Sequence, residues 1–205
     1  MRGGRKSQKI YCLECDISKY FDSINHKVLS EIIKKKIADR KIVWLIKEIL
    51  NSSYDKEPGV GIPIGNLTSQ LFANIYLNEL DQFLKHRLRV RYYIRYMDDF
   101  LILDCDKKYL HKIKEEIREF LGNRLNLKLH PQKANIFPTD KGIDFLGYQL
   151  FGNYRLLRKS TVKRFIKRTK QKKITNQSLQ SWLVYAKFAN SWRLRKTIFE
   201  KLKLI

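Results

Sequence analysis

Two adjacent aspartates, Asp98 and Asp99, lie between the apolar runs YYIRYM and FLIL. A third acidic residue, Asp16, follows another apolar run, KIYCLEC. Carboxylates that leave a buried sheet side by side need a compensating cation, and a ligand set made of oxygens favours Mg²⁺ over softer metals. Two such ions, about 3.5 to 4 Å apart, can activate a hydroxyl nucleophile and stabilise a pyrophosphate leaving group. On spacing alone, an ordinary solvated turn is the alternative interpretation of the pair.

The elements that must position these acids are predicted from hydrophobic periodicity. Two β-rich runs, 90–97 and 100–104, predict a hairpin with the acidic pair at its tip. If a strand over residues 9–17 neighbours this hairpin, the three carboxylates converge. The other predicted elements are helices at 26–37 (capped by Asn25), 41–50, 68–88 and 107–121 (closed by Gly122), and short strands at 126–129, 134–137 and 144–150.

The charge balance indicates a polyanionic partner, nucleic acid before membrane. The 205 residues carry 43 Lys and Arg against 20 Asp and Glu, a net charge of +23, while 43% apolar residues are enough for a core. Residues 154–205 contain 16 Lys and Arg but one acidic residue. We therefore expect an α+β core at 1–153 and a basic helical appendage at 154–205. Because no segment approaches the ~20 apolar residues of a spanning helix, we expect a cytoplasmic chain with no membrane partner.

Several segments resemble reverse transcriptases, in the order that the family has them. Tyr96-Met97-Asp98-Asp99 is similar to the Y-x-D-D motif of that family, and DISKYFDSINH (16–26) is similar to its first catalytic motif. The others are GIPIGNLTSQ (61–70), LKLHPQK (127–133), FLGYQL (145–150) and the basic tail.

The branch of the family is suggested by PIGNLTSQLFANIYLNELD (63–81), which most resembles the reverse transcriptases of diversity-generating retroelements. Group II intron enzymes are the nearest alternative. They typically carry Gln-Gly where this chain has Ile64-Gly65, and S-P where it has Ser69-Gln70.

The resemblance implies a right-hand polymerase fold. A palm, an antiparallel sheet with helices on one face, would occupy residues 1–153, and a helical thumb residues 154–205. Asp16, Asp98 and Asp99 fall on the catalytic triad that holds two Mg²⁺ ions, for which Mn²⁺ can substitute, and Ile17 contributes its backbone carbonyl.

The resemblance also places residues around the incoming nucleotide. Phe21 falls where an aromatic side chain excludes a ribose 2′-hydroxyl, Ile64 and Gly65 lie in the nucleotide pocket, and Lys133 lies near the triphosphate. An aliphatic Ile64 cannot make the sugar hydrogen bond of the usual Gln, so we expect error-prone copying, notably opposite template adenines. The residues alone leave open a core role for Phe21 and a solvated Lys133.

Contacts to primer and template are implied for three groups of residues. The primer-grip turn is matched by Leu146, Gly147 and Tyr148, where as plain sequence the glycine is only a strand end. The aromatic residues of the tail, Trp182, Tyr185, Phe188 and Trp192, are expected mainly to pack a helix into the thumb. The remaining predicted contacts are Ser69, Gln70, Tyr96, Met97 and the basic Arg164, Lys167 and Arg168.

The implied reaction is RNA-directed DNA polymerisation, with deoxynucleoside triphosphates, a DNA primer and template RNA as partners. The retroelement branch would add a small basic accessory protein. Only fifteen residues precede Asp16, so we expect the fingers region to be largely missing. Half of a split polymerase, a catalytically inactive nucleic-acid-binding remnant and a two-metal nuclease remain as alternatives.

Overall fold

The computed structural model describes residues 8–52, 58–171 and 174–202. They belong to two compact units, Met1–Phe137 and Pro138–Ile205. The boundary expected at residues 153 and 154 lies inside the second of these units. The segment 138–153 is therefore grouped with the basic tail and not with the core in which the sequence placed it.

The first unit is built on a four-stranded sheet. Its strands are β1 (Tyr11–Cys15), β2 (Tyr92–Tyr96), β3 (Asp99–Asp104) and β4 (Asn135–Pro138), in the order β2-β3-β1-β4. Strand β3 pairs antiparallel with both β1 and β2. The predicted hairpin is present, but its two-residue turn is Met97-Asp98 and not the acidic pair, because Asp99 already pairs with Tyr96 as the first residue of β3.

Five helices accompany this sheet in the described part of the first unit. These helices are α1 (Tyr20–Ser23), α2 (His26–Lys34), α3 (Arg40–Asn51), α4 (Leu67–Gln82, continued by a π-helical turn over Phe83–Arg87) and α5 (Lys107–Leu125). The N-cap of α2 predicted at Asn25 is confirmed, since its side chain accepts a hydrogen bond from Val28 N at 3.1 Å.

Helix α4 lies in the middle of the core. The Tyr76 side chain is fully buried, and its hydroxyl donates to the Leu125 carbonyl at the end of α5 at 2.7 Å. Leu71 of the same helix is exposed although its side chain is apolar. The buried positions of α4 are Ser69, Phe72, Ala73, Tyr76, Leu77 and Leu80.

Two local predictions around α5 are wrong. The helix continues through Gly122 to Leu125, because Leu121 and Leu125 keep the helical spacing of the buried face. Asn126 caps it with φ 52°, a left-handed conformation that Asn tolerates. Residues 126–129 form no regular strand, since the segment makes a single bridge, from Leu129 to Ile17.

The second unit combines a small sheet with three helices. Strands β5 (Ile143–Phe145), β6 (Tyr148–Leu150) and β7 (Arg155–Leu157) pair antiparallel in that order, so the tail predicted as helical begins with a strand. Helices α6 (Lys159–Lys170), α7 (Asn176–Lys187) and α8 (Trp192–Leu202) follow. None of the helices in the described parts of either unit is long and apolar enough to cross a membrane.

The aromatic residues of the tail divide into two pairs. Trp182 is buried and stacks on Phe165 of α6, with ring centroids 3.9 Å apart, and Tyr185 is half-buried in the same cluster. Phe188 and Trp192 are 58% and 66% exposed. The packing role expected of all four therefore holds for the first pair only.

Candidate active site

Strand register brings the three acids together. Cys15 at the end of β1 pairs with Phe100, and Tyr96 at the end of β2 pairs with Asp99. Asp16, the next residue after β1, therefore emerges at the end of the sheet where the hairpin turn lies. The negative charge of its carboxyl group raises the pKa of both Asp98 and Asp99, which places the three carboxyl groups near one another.

The carboxyl groups of Asp98 and Asp99 have pKa values above the ordinary Asp value. Desolvation, followed by the negative charges of Asp16 and Asp98, raises the pKa of Asp99 to about 6. Desolvation also raises the pKa of Asp98, with Asp16 adding to the effect. Such shifts are expected where carboxylates crowd together with too little positive charge, so the site favours binding of a cation.

One compensating charge comes from Lys133. Its ammonium group donates to Asp16 Oδ2 at 2.6 Å, although the Lys133 side chain is 58% exposed. The backbone places it there, because the amide of His130 donates to the Asp16 carbonyl at 2.8 Å and that of Ser18 to the Lys128 carbonyl at 2.9 Å. Lys133 is therefore part of the acidic site, which its position in the sequence alone left open.

The acidic cluster offers oxygen atoms as possible metal ligands. Within the described ranges, no three His, Cys, Asp or Glu side chains are grouped so that they could hold a metal ion as they stand. The carboxylates of Asp16, Asp98 and Asp99 are the hard ligands that Mg²⁺ prefers, and one oxygen of Asp16 is engaged by Lys133. The buried Ile17 follows Asp16 directly.

Besides Lys133, the residues predicted to surround the nucleotide lie on two segments, and a backbone hydrogen bond joins these two. The Phe21 carbonyl accepts from the amide of Ile62 at 2.9 Å, and the Phe21 ring packs edge-on against Tyr20 at 5.6 Å. Beyond Ile62 the chain turns outward, so that Ile64 is 80% exposed and Gly65 has φ 97°. Their roles toward a nucleotide stay predictions.

The residues predicted to contact primer and template differ in accessibility. Ser69 is only 1% exposed, so its side chain is not available to a nucleic acid in this structure. Gln70 and Tyr96 are exposed and Met97 is half-buried. In the second unit, Leu146 and Gly147 form the turn between β5 and β6, before Tyr148 of β6, and Arg164, Lys167 and Arg168 are exposed on α6.

Sequence reasoning missed the side chains that support these turns. Asp81 and Asn74 of α4 bond to Arg95 beside the acidic pair, and the Tyr185 hydroxyl of α7 donates to the Leu146 carbonyl at 3.2 Å. The sequence of β2 did carry a signal for the contact that involves Arg95. Tyr93 and Arg95 alternate with exposed positions along β2, which places both on one face of the strand.

Comparison with protein families gives one match over most of the chain. Residues 3–150 match the family described as Reverse transcriptase (RNA-dependent DNA polymerase). The chain is 28% identical over 177 residues to Protein YkfC of Escherichia coli (strain K12), which covers 68% of this chain and 46% of that protein. It is also 28% identical over 219 residues to the group II intron-encoded protein LtrA of Lactococcus lactis subsp. cremoris, covering 74% and 36%. The chain thus spans less than half the length of either relative.

Solved structures with a similar fold include fungal telomerases. Telomerase from Candida albicans, in complex with a fragment of telomeric RNA, matches with a TM-score of 0.56 and 14% identity over 95% of this chain and 40% of its own. Apo telomerase from Candida tropicalis matches with a TM-score of 0.55 and 16% identity over 69% and 31%. These likenesses confirm the α+β fold class.

Proposed function

We propose that this chain, which belongs to the reverse transcriptase family, carries the nucleotidyl-transfer site of an RNA-directed DNA polymerase. The observation that carries the proposal is the meeting of Asp16, Asp98 and Asp99 at one end of the sheet, with the pKa of Asp99 raised to about 6 by desolvation and by the other two acids. A cluster of this kind, on a body with a net charge of +23, suits chemistry on a polyanion.

The proposed cofactor is a pair of Mg²⁺ ions, for which Mn²⁺ can substitute. The three carboxylates and the Ile17 carbonyl would hold them, and the oxygen donors together with their deficit of positive charge support this assignment. When bound, such ions activate the primer 3′-hydroxyl and stabilise the leaving pyrophosphate. The Lys133 ammonium group contacts one of the two Asp16 carboxylate oxygens, so it would compete with a metal ion for Asp16.

The chain's own residues would orient and select the nucleotide. Lys133, freed from Asp16, reaches the triphosphate from the same end of the sheet and neutralises charge on it. The Phe21 ring is held against Tyr20 and the core, so it forms a fixed wall that can exclude a 2′-hydroxyl. Ile64 offers the nucleotide an apolar, exposed side chain.

Each domain has a proposed role. We assign residues 1–153 to the palm and residues 154–205 to the thumb, although residues 138–153 belong to the same compact unit as the tail. The thumb would use Arg164, Lys167 and Arg168 to bind template and primer, and the Leu146-Gly147-Tyr148 turn of the palm would support the primer end. The exposure of the three basic side chains supports an electrostatic role.

The branch of the reverse transcriptase family is a proposal that rests on four residues. Ile64-Gly65 and Ser69-Gln70 favour a diversity-generating retroelement enzyme, with error-prone copying, template RNA, a DNA primer and a small basic accessory protein in the cytoplasm. Ile64→Gln should reduce misincorporation opposite template adenines. An unchanged error spectrum would remove Ile64 from this account.

A second candidate is a catalytically inactive nucleic-acid-binding remnant. The ion pair between Lys133 and Asp16 favours it, because this contact occupies an oxygen that a metal ion would need. Half of a split polymerase would share the same site and would regain activity with a second chain.

Primer extension on an RNA template, with labelled deoxynucleotides and Mg²⁺, tests the proposal. We expect extension by the intact chain, its loss in Asp98→Asn, and its retention in Asp140→Asn, which makes the same change at an exposed position of the second unit. Shortening of the labelled strand would favour a nuclease. Tight binding without extension would favour the remnant.

A further inference from the structure

Arg95 connects helix α4 to the Met97-Asp98 turn between β2 and β3, which we call the catalytic turn. Its Nε and Nη2 donate to the two carboxylate oxygens of Asp81 at 2.8 and 2.6 Å, and its Nη1 donates to the Met97 carbonyl at 2.9 Å. The same Nη1 also donates to Asn74 Oδ1 at 3.2 Å. Arg95 thus bonds at once to the turn that carries the acidic pair and to the helix behind it.

The Arg95–Asp81 pair is shielded from water, so it is stronger than an ordinary surface ion pair. The side chains are 11% and 26% exposed, and the Tyr93 hydroxyl donates a further hydrogen bond to Asp81 Oδ1 at 2.6 Å. Burial would lower the pKa of Arg95, but the hydrogen bond and charge of Asp81 outweigh it and raise this pKa. Arg95 therefore stays charged.

The turn that Arg95 contacts is conformationally unusual. Met97 has φ 56°, a left-handed conformation that is unfavourable for a residue with a side chain and persists only where the surroundings enforce it. The Arg95 bond to its carbonyl supplies such enforcement, and Asn74 Nδ2 lies 3.5 Å from Met97 Sδ. That carbonyl belongs to the peptide that joins Met97 to Asp98.

We propose that Asp81 and Arg95 form a clamp that positions Asp98 and Asp99 for nucleotidyl transfer. Neither clamp residue belongs to the acidic cluster, so both act through the turn as positioning residues. The proposal rests on the proposed function for its catalytic consequence, whereas the hold on the turn is a separate physical claim. Loss of the clamp should lower the rate of the chemical step and leave primer-template affinity unchanged.

Near-isosteric variants test the clamp. Arg95→Lys keeps the charge but loses the planar fork, and Asp81→Asn keeps the shape but loses the charge. We expect each to lower the single-turnover rate of primer extension by about 10- to 100-fold, and the double variant to be no slower than the slower single variant. The matched control is Arg118→Lys, in the exposed Arg118–Glu115 pair of α5.

Hydrogen–deuterium exchange separates the clamp from the polymerase assignment. In Arg95→Lys and Asp81→Asn, amides of residues 96–100 should exchange faster while those of α5 keep their rates; in the control neither set changes. If either variant fails to fold, Asn74→Ala, at an exposed position, gives a milder loosening that exchange can still detect. Unchanged exchange at the turn, or independent and additive rate losses, would overturn the clamp. If the turn loosens but the unaltered chain extends no primer, the proposed function fails and the hold on the turn stands.

Discussion

The catalytic turn and the turn between β5 and β6 share a left-handed backbone conformation, but different interactions stabilise them. Each is a two-residue hairpin turn with left-handed backbone: Met97 has φ 56°, and Leu146 and Gly147 have φ 50° and 83°. In each, a side chain donates to the carbonyl of a left-handed residue, from Arg95 at 2.9 Å and from Tyr185 at 3.2 Å. The two turns differ in the force that holds them.

The catalytic turn is stabilised by a side chain in an ion pair, whereas the second turn is stabilised by a side chain in an aromatic pair that packs closely on a glycine. Arg95 is bound to Asp81. Tyr185 packs its ring 4.6 Å from Tyr148, whose hydroxyl donates back to the Tyr185 carbonyl at 2.8 Å. A Cβ on Gly147 would collide with the Tyr185 hydroxyl. An ionic hold would suit the charged ligands proposed for the acidic site, and a steric hold would suit the close approach to a primer backbone proposed for the second turn.

Gly147→Ala should have the largest effect on stability, because it adds both a steric clash and a strained backbone. We expect unfolding of the second unit to become easier by about 2 to 4 kcal/mol, measured by chemical denaturation with a fluorescence probe in that unit. Gly152→Ala is the control, since no described atom lies within 4 Å of its added Cβ and its φ is not left-handed. Equal effects at both glycines would contradict the steric hold.

Removing charge from α6 should weaken nucleic-acid binding without slowing the chemical step. In the combined variant Arg164→Gln, Lys167→Gln and Arg168→Gln, we expect lower affinity and a salt dependence shallower by about 0.9 for each phosphate that is no longer neutralised. The control replaces three exposed lysines of α5, Lys107, Lys108 and Lys112, with Gln. The same salt slope in both variants would show that α6 binds no phosphates.

Tyr185→Phe should have a smaller effect, because it removes one hydrogen bond and keeps the ring. We expect a loss of about 1 kcal/mol by the same denaturation measurement. The Tyr185→Phe change should also restore part of the stability that Gly147→Ala removes, since it deletes the oxygen that the new Cβ meets. Strictly additive effects would argue that the collision is avoided in some other way.

The smallest expected effect is a pH dependence at the catalytic turn. The pKa of Asp99 is raised from its ordinary value of 3.8 to about 6 in the folded state, so its contribution to stability is complete only below pH 3.8 and is lost as the pH rises through about 6. Asp99→Asn, which cannot ionise, should therefore raise the thermal unfolding midpoint at pH 8 in the presence of chelator, and the gain should be much smaller at pH 4. A gain of the same size at both pH values would show that ionisation is not its cause.

Local signals in the sequence predicted most elements and the place of the acids. The Asn25 cap, the hairpin and the apolar strands were predictable, because each depends on residues a few positions apart. Errors arose where a local signal competed with packing. Gly122 resembles a helix end, yet the helix runs on to Leu125 because the Leu121 and Leu125 side chains are buried.

The amino-acid sequence by itself determined that three acids stand at strand ends in a strongly basic chain, and that their surrounding motifs are those of the reverse transcriptase family. Only the tertiary structure decided that the ammonium group of Lys133 contacts Asp16 and that Arg95 holds the turn that carries the acidic pair. Lys133 reaches Asp16 across 117 positions, and Tyr185 reaches Leu146 across 39. These contacts depend on strand register and on the rotation of each helix about its axis, which are set by packing of the whole core and leave no periodic trace in the residues concerned.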